Sequence, residues 1–195
     1  MKKVIVDSIL AGFCISLGGI VNLKVGGIAG AVLFSFGLIT VISYRLKLYT
    51  GVSGFVRTRR DFIELPVVII GNVVGCLFAG LATKYALPDL VATAQGIVDA
   101  RLSKSLWQVL LLAAACGFIM TTVVKFAREG KWLPLLFGIP LLILSGFIHS
   151  IADAYYLSAA LTFDTLTWSV VALYIMELLG NFIGCNLYRG MQKFA

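Results

Sequence analysis

The chain has a single histidine, His149, and only 13% of its 195 residues are charged. Nothing in the sequence joins that histidine to a nucleophile constellation, a metal-ligand set or a phosphate-binding loop. An enzyme using His149 and Asp153 as acid and base is therefore the weakest of the function classes. The four cysteines, Cys14, Cys76, Cys116 and Cys185, all lie in apolar segments without CxxC or Cys/His spacing. They read as small core residues, with neither a disulfide framework nor a metal site, and no cofactor is called for. The run from about 4 to 23 follows Met1-Lys2-Lys3 but lacks a small-residue cleavage site, so it reads as a retained helix rather than a signal peptide.

What the chain has in abundance is apolar surface. Hydrophobic residues make up 60% of it and mean hydropathy is +1.00, outside the range of soluble globular domains. The expectation is an integral, all-α membrane protein in one transmembrane domain, 1–195, in contact with lipid. The formal charge of +7 resides in short basic clusters between hydrophobic runs, a mark of membrane orientation and not of a nucleic-acid partner.

Six segments approach the roughly 20 residues needed to cross the bilayer: about 4–23, 27–55, 65–87, 106–126, 132–160 and 166–188. With the N-terminus inside, the cytoplasmic side holds ten bases: Lys2, Lys3, Arg57, Arg59, Arg60, Lys125, Arg128, Lys131, Arg189 and Lys193. The outer side holds four: Lys24, Lys84, Arg101 and Lys104. That asymmetry predicts both termini in the cytoplasm.

The second and fifth segments are interrupted. Arg45 and Lys47 fall in mid-span of the second, and the fifth meets Gly146, His149 and Asp153. Irregular backbone at membrane depth persists only where protein buries it or where it lines a cavity, and broken helices in matching halves point to a transport site. The third segment carries Gly71-Asn72-Val73-Val74-Gly75-Cys76 and the sixth Gly180-Asn181-Phe182-Ile183-Gly184-Cys185. Repeated G-N-x-x-G-C predicts two homologous halves, about 4–87 and 106–188, inverted because each has an odd number of spans.

Several residues admit two readings. His149 and Asp153 share a helix face at i, i+4, and His149 is either satisfied by backbone or serves a pathway. Phe34 and Leu38, also i, i+4, are core or constriction. Lys47 lines a pore or pairs with Glu177 or Asp153. Arg45 snorkels to the interface or lines the pore.

These same segments carry a family resemblance. Phe34-Ser35-Phe36-Gly37-Leu38, Lys47-Leu48-Tyr49-Thr50 and Gly146-Phe147-Ile148-His149-Ser150-Ile151-Ala152-Asp153, together with the paired G-N-x-x-G motifs, resemble the formate/nitrite transporter family. The resemblance implies an aquaporin-like protomer of six transmembrane helices, the second and fifth broken, usually in a homopentamer with one pore per protomer. It implies that Thr50 and His149 face each other in that pore, that Phe34, Leu38 and Leu142 form constrictions, and that a basic residue ahead of the fourth span falls at Arg101 or Lys104. The departures are Lys47 where the family has an acid, Ile148 where it has glutamate, Asp153 where it has asparagine, and Glu177 in the last helix. The implied function is a channel or transporter in the plasma (inner) membrane. Its permeant is a small monovalent anion or its conjugate weak acid, and its pH dependence runs through His149, whose ordinary pKa of about 6.5 suits proton donation. Lys47, Arg45 and Arg101 would concentrate anions. The alternative is a non-conducting scaffold or accessory subunit that has kept the fold.

Overall fold

Hydrocarbon offers no hydrogen-bond partner to backbone amides, so long apolar runs satisfy themselves as helices. The computed structural model describes residues 1–162 and 165–191. In chain order the helices are α1 (Lys2–Val25), α2 (Gly27–Ser43), α3 (Tyr49–Val52), α4 (Arg59–Ala86), α5 (Val91–Leu102), α6 (Leu106–Arg128), α7 (Leu133–Leu144), α8 (Ser150–Ala160) and α9 (Trp168–Met191). A 3₁₀ turn, Ser53–Phe55, extends α3, and another, Pro88–Leu90, leads into α5. Among the described residues there is no strand. Helices α1, α4, α6 and α9 are long and apolar enough to cross a membrane, while α2 and α7 are shorter apolar helices.

The starts of α4 and α6 are written in sequence. Thr58 and Asp61 make a reciprocal capping box, as do Ser105 and Gln108. The first of these begins α4 at Arg59, ahead of the apolar run that starts near 65. Helix α5 lies between α4 and α6, in the stretch that the six sequence segments leave unassigned. Its composition is too polar to register as a span, and it is held instead by burial of Ala94 and Val98.

Glycine pairs set how closely the long helices approach. A Cβ at Gly12 would overlap the Asn72 carbonyl, and one at Gly117 would overlap the Asn181 carbonyl. The same holds for Gly75 over Ile9 and for Gly184 over Ala114. These α1–α4 and α6–α9 seams are therefore matched residue for residue, and small residues are what permit backbones to come together in a bilayer.

The two breaks occupy 44–48 and 145–149, inside the segments where the sequence expects them. Their hydrogen bonding also matches. After α2, Arg45 N–H donates to Ile42 at 3.0 Å and Leu46 N–H to Val41 at 2.9 Å; after α7, Gly146 N–H donates to Ile143 and Phe147 N–H to Leu142, both at 3.1 Å. Arg45 (φ 56°) and Gly146 (φ 69°) hold the same left-handed position. Asn72 then bridges the first break, its Nδ2 donating to Lys47 O at 2.8 Å and its Oδ1 accepting from Tyr49 N–H at 2.8 Å. Asn181 bridges the second identically, donating to Ile148 O at 2.8 Å and accepting from Ser150 N–H at 2.9 Å. The asparagines also tie each break to the neighbouring long helix, at Ser8 O and Ala113 O.

Of the sequence's cytoplasmic bases, Lys193 lies outside the described residues. Cys76, Cys116 and Cys185 are buried and free, and Cys14 is half-buried and free.

Candidate functional site

The second break delivers His149 to the middle of the bundle as the residue that caps α8. Its Nδ1 accepts the Ala152 N–H at 3.0 Å. A ring whose Nδ1 accepts carries its proton on Nε2, and Nε2 lies 2.8 Å from Thr50 Oγ1, so His149 donates to Thr50. Thr50 belongs to α3, directly after the first break, and both residues are buried. The two interrupted helices thus meet through one side-chain hydrogen bond.

His149 lines a cavity of about 390 Å³ on the side toward the ends of α1 and α5. Five more of the residues singled out from the sequence share its wall: Phe34, Leu38, Leu142, Asp153 and Arg101. Arg101, not Lys104, is the base on this wall. Its Nε donates to Asp153 Oδ2 at 2.8 Å and its Nη1 to Gly146 O at 3.2 Å. The guanidinium therefore braces α5 both to α8 and to the turn that introduces His149. With side chains only 15% and 4% exposed, the Arg101–Asp153 bridge is nearly desolvated, and removing Arg101 alone would leave the buried carboxylate without its counter-charge.

A second cavity, of about 520 Å³, lies on the other side of Leu38, which lines both. Here are Arg45, Lys47, Arg128 and Trp132. Lys47 is thus separated from His149, and its ion-pair partner is Glu64 at 3.8 Å, not Glu177 or Asp153 as the sequence suggested. The reason is geometric: the first break turns the lysine away from the bundle centre toward the start of α4. Arg128 donates to Gly51 O at 3.1 Å and stacks on Phe55, its guanidinium carbon 4.0 Å from the ring centroid, which pins α3 to α6. Arg45 is exposed at the cavity edge.

Sequence reasoning did not find Asn22, Thr93 or Tyr156, which also face the first cavity. Asn22 Nδ2 lies 3.4 Å from Tyr156 Oη. The available signal was Asn22 itself, an amide near the end of an otherwise apolar span. Thr93 carried none, because α5 has no clear periodicity.

The arrangement comprises two cavities that share the apolar Leu38, cations on the walls of both, and on the first a histidine bonded to a buried threonine. It can strip water from a small solute at Leu38 while presenting fixed positive charge to it on either side.

Comparison with known proteins gives a consistent picture. A family described as formate/nitrite transporter matches residues 1–194. An uncharacterized transporter, YrhG of Bacillus subtilis (strain 168), is 27% identical, the alignment covering 100% of this chain and 85% of that protein. A formate channel, BtFdhC of Bacillus thuringiensis, is 24% identical, with 100% and 87% covered. Among solved structures, one described as an FNT family ion channel superposes with a TM-score of 0.85 at 20% identity over 97% of this chain and 88% of its own. A pentameric formate channel with formate bound superposes with a TM-score of 0.84 at 21% identity over 99% and 96%.

Proposed function

The chain belongs to the formate/nitrite transporter family, and from that premise we propose that it conducts a small monovalent anion or its conjugate weak acid across the membrane. Formate, nitrite, hydrosulfide and short-chain carboxylates are the candidate permeants. The observation that carries this reading is the Thr50–His149 hydrogen bond, which holds the one histidine on the wall of the Arg101 cavity, the same wall as Leu38, the residue that both cavities share.

The route runs from the Arg101 cavity past Phe34, Leu38 and Leu142 to the cavity of Arg45, Lys47 and Arg128. An anion entering such a constriction sheds water, at a cost that low dielectric makes prohibitive unless its charge is offset. Arg101 and the three bases of the second cavity raise the local anion concentration. At the constriction, an arriving anion takes over the His149 Nε2–H from Thr50 and so regains one of its lost water contacts. Protonating Nδ1 requires the Ala152 N–H to let go, so pH acts on the pore through the N-cap of α8 as well as through charge. Lys47 belongs to the vestibule rather than to the histidine.

The same proposal includes the wider assembly. The matched glycine seams, breaks and asparagine bridges support six transmembrane helices in two inverted repeats, about 4–87 and 106–188, of aquaporin-like form within one domain. The excess of bases on the side where α1 begins supports both termini in the cytoplasm of a plasma (inner) membrane. The pentameric neighbour supports a homopentamer with one path per protomer.

The test is flux against pH for wild type and His149→Phe in proteoliposomes. The variant is expected to lose the pH dependence; an unchanged profile removes the histidine from the mechanism.

A further inference from the structure

We propose that Glu177 and Asp153 together hold one proton beside the anion route, and that a monovalent anion reaching Arg101 brings a second proton to this pair. The proposal rests on the anion reading of the cavity and adds to it where the coupled proton resides.

Glu177 projects from α9, is 0% exposed, and neither of its carboxyl oxygens has a hydrogen-bond partner among the described residues. Asp153 of α8 gives one oxygen to Arg101 while its Oδ1 is likewise unpartnered. Glu177, Asp153 and Arg101 share a cleft with Tyr156, Ile97 and Leu173. Two carboxylates against one guanidinium would leave an unbalanced negative charge in this apolar site, which is costly. One proton restores the balance, and an O–H from Glu177 to Asp153 Oδ1 gives partners to both unpartnered groups at once.

The other titratable groups around the pair do not supply that charge. Tyr156 on α8, Tyr174 on α9 and Cys116 on α6 are uncharged in their ordinary protonated forms. On the chain entering α8, His149 has Nδ1 occupied by the Ala152 N–H and Nε2 engaged with Thr50. Among the described residues that line this cleft, Arg101, on α5, is the one cation.

Coupling follows from the position of Arg101. It lines the cavity, and in the empty protein Asp153 is its counter-ion. An arriving anion competes for the guanidinium, and Asp153, losing its partner, takes up a proton. The empty state carries Arg101⁺, one carboxylate and one carboxylic acid; the loaded state carries Arg101⁺, the anion and two carboxylic acids. Both sum to zero, so one proton enters and leaves with each anion.

The experiment begins with infrared spectroscopy of the purified full chain in lipid bilayers at neutral pH without permeant. Wild type is expected to show the C=O stretch of one buried protonated carboxyl. Glu177→Gln and Asp153→Asn should each lose it, because one guanidinium balances the carboxylate that remains, while Arg101→Gln should roughly double it. A wild type without the band, or a band that survives in both carboxyl variants, overturns the proton site. In proteoliposomes with an entrapped pH dye, nitrite uptake by wild type should be independent of membrane potential, and uptake by the two carboxyl variants should become potential-dependent. Variants that remain electroneutral overturn the coupling. The band in wild type without any anion flux overturns the anion route while leaving the proton site standing; flux without the band overturns the proton site alone.

Discussion

Replacing Asn181 by leucine should loosen the central histidine without touching it. The side chains are similar in volume, but leucine leaves the Ser150 N–H and the Ile148 carbonyl without the partners they have at 2.9 and 2.8 Å, and removes the 2.8 Å bond to Ala113. A buried group left unpaired costs about 1–3 kcal/mol, which puts the two break groups at about 2–6 kcal/mol. Interhelical hydrogen bonds in bilayers average only about 0.6 kcal/mol where the loosened chain finds other partners. The break groups stand at the end of a helix in a fully packed interior, so the expected loss lies between these figures, at about 2–4 kcal/mol. Thermal unfolding followed by thiol labelling of buried Cys76, Cys116 and Cys185 measures it directly. Asn72→Leu, which disrupts the matched bridge at Lys47 and Tyr49, should cost a similar amount. A wild-type midpoint for Asn181→Leu would refute the claim that the asparagines hold the breaks open.

Thr50→Val strips the acceptor from the His149 Nε2–H and should destabilise by about 1–3 kcal/mol in the same labelling assay. Arg101→Met leaves Asp153 and Glu177 without their cation and should cost about 3–5 kcal/mol, most of it recovered in the Arg101→Met, Asp153→Leu double variant, as thermal melting would show. Arg45→Gly places glycine where the second half already has Gly146, relieving a left-handed arginine at φ 56°; a gain of about 1 kcal/mol is expected in the unfolding midpoint.

Hydropathy made the long apolar helices α1, α4, α6 and α9 legible, since a bilayer core demands long runs that satisfy their own backbone. The breaks were legible for the opposite reason: Arg45, Lys47 and His149 are too costly in mid-span unless the helix stops there. The G-N-x-x-G-C pair told where the long helices touch, and the structure adds what the asparagine is for. Helix α5 escaped notice because it is short, mixed in composition and without periodicity, although it carries Arg101 to the cavity. Charge partners were the least legible. Arg101 and Asp153 are 52 positions apart, and Lys47 reaches Glu64 because the first break turns it outward. Pairing across a bundle depends on where the chain bends, and the sequence marks that a bend occurs more clearly than it marks its direction.

The central claim is that the Arg101 and Lys47 cavities form one route for small weak-acid anions. Stopped-flow uptake of formate, nitrite, hydrosulfide, acetate and lactate into proteoliposomes, against empty liposomes and at several pH values, tests it most directly. The expected result is fast uptake of at least one of these permeants that varies with pH in wild type and loses that variation in His149→Phe. Folded protein that passes none of them faster than empty liposomes would contradict it.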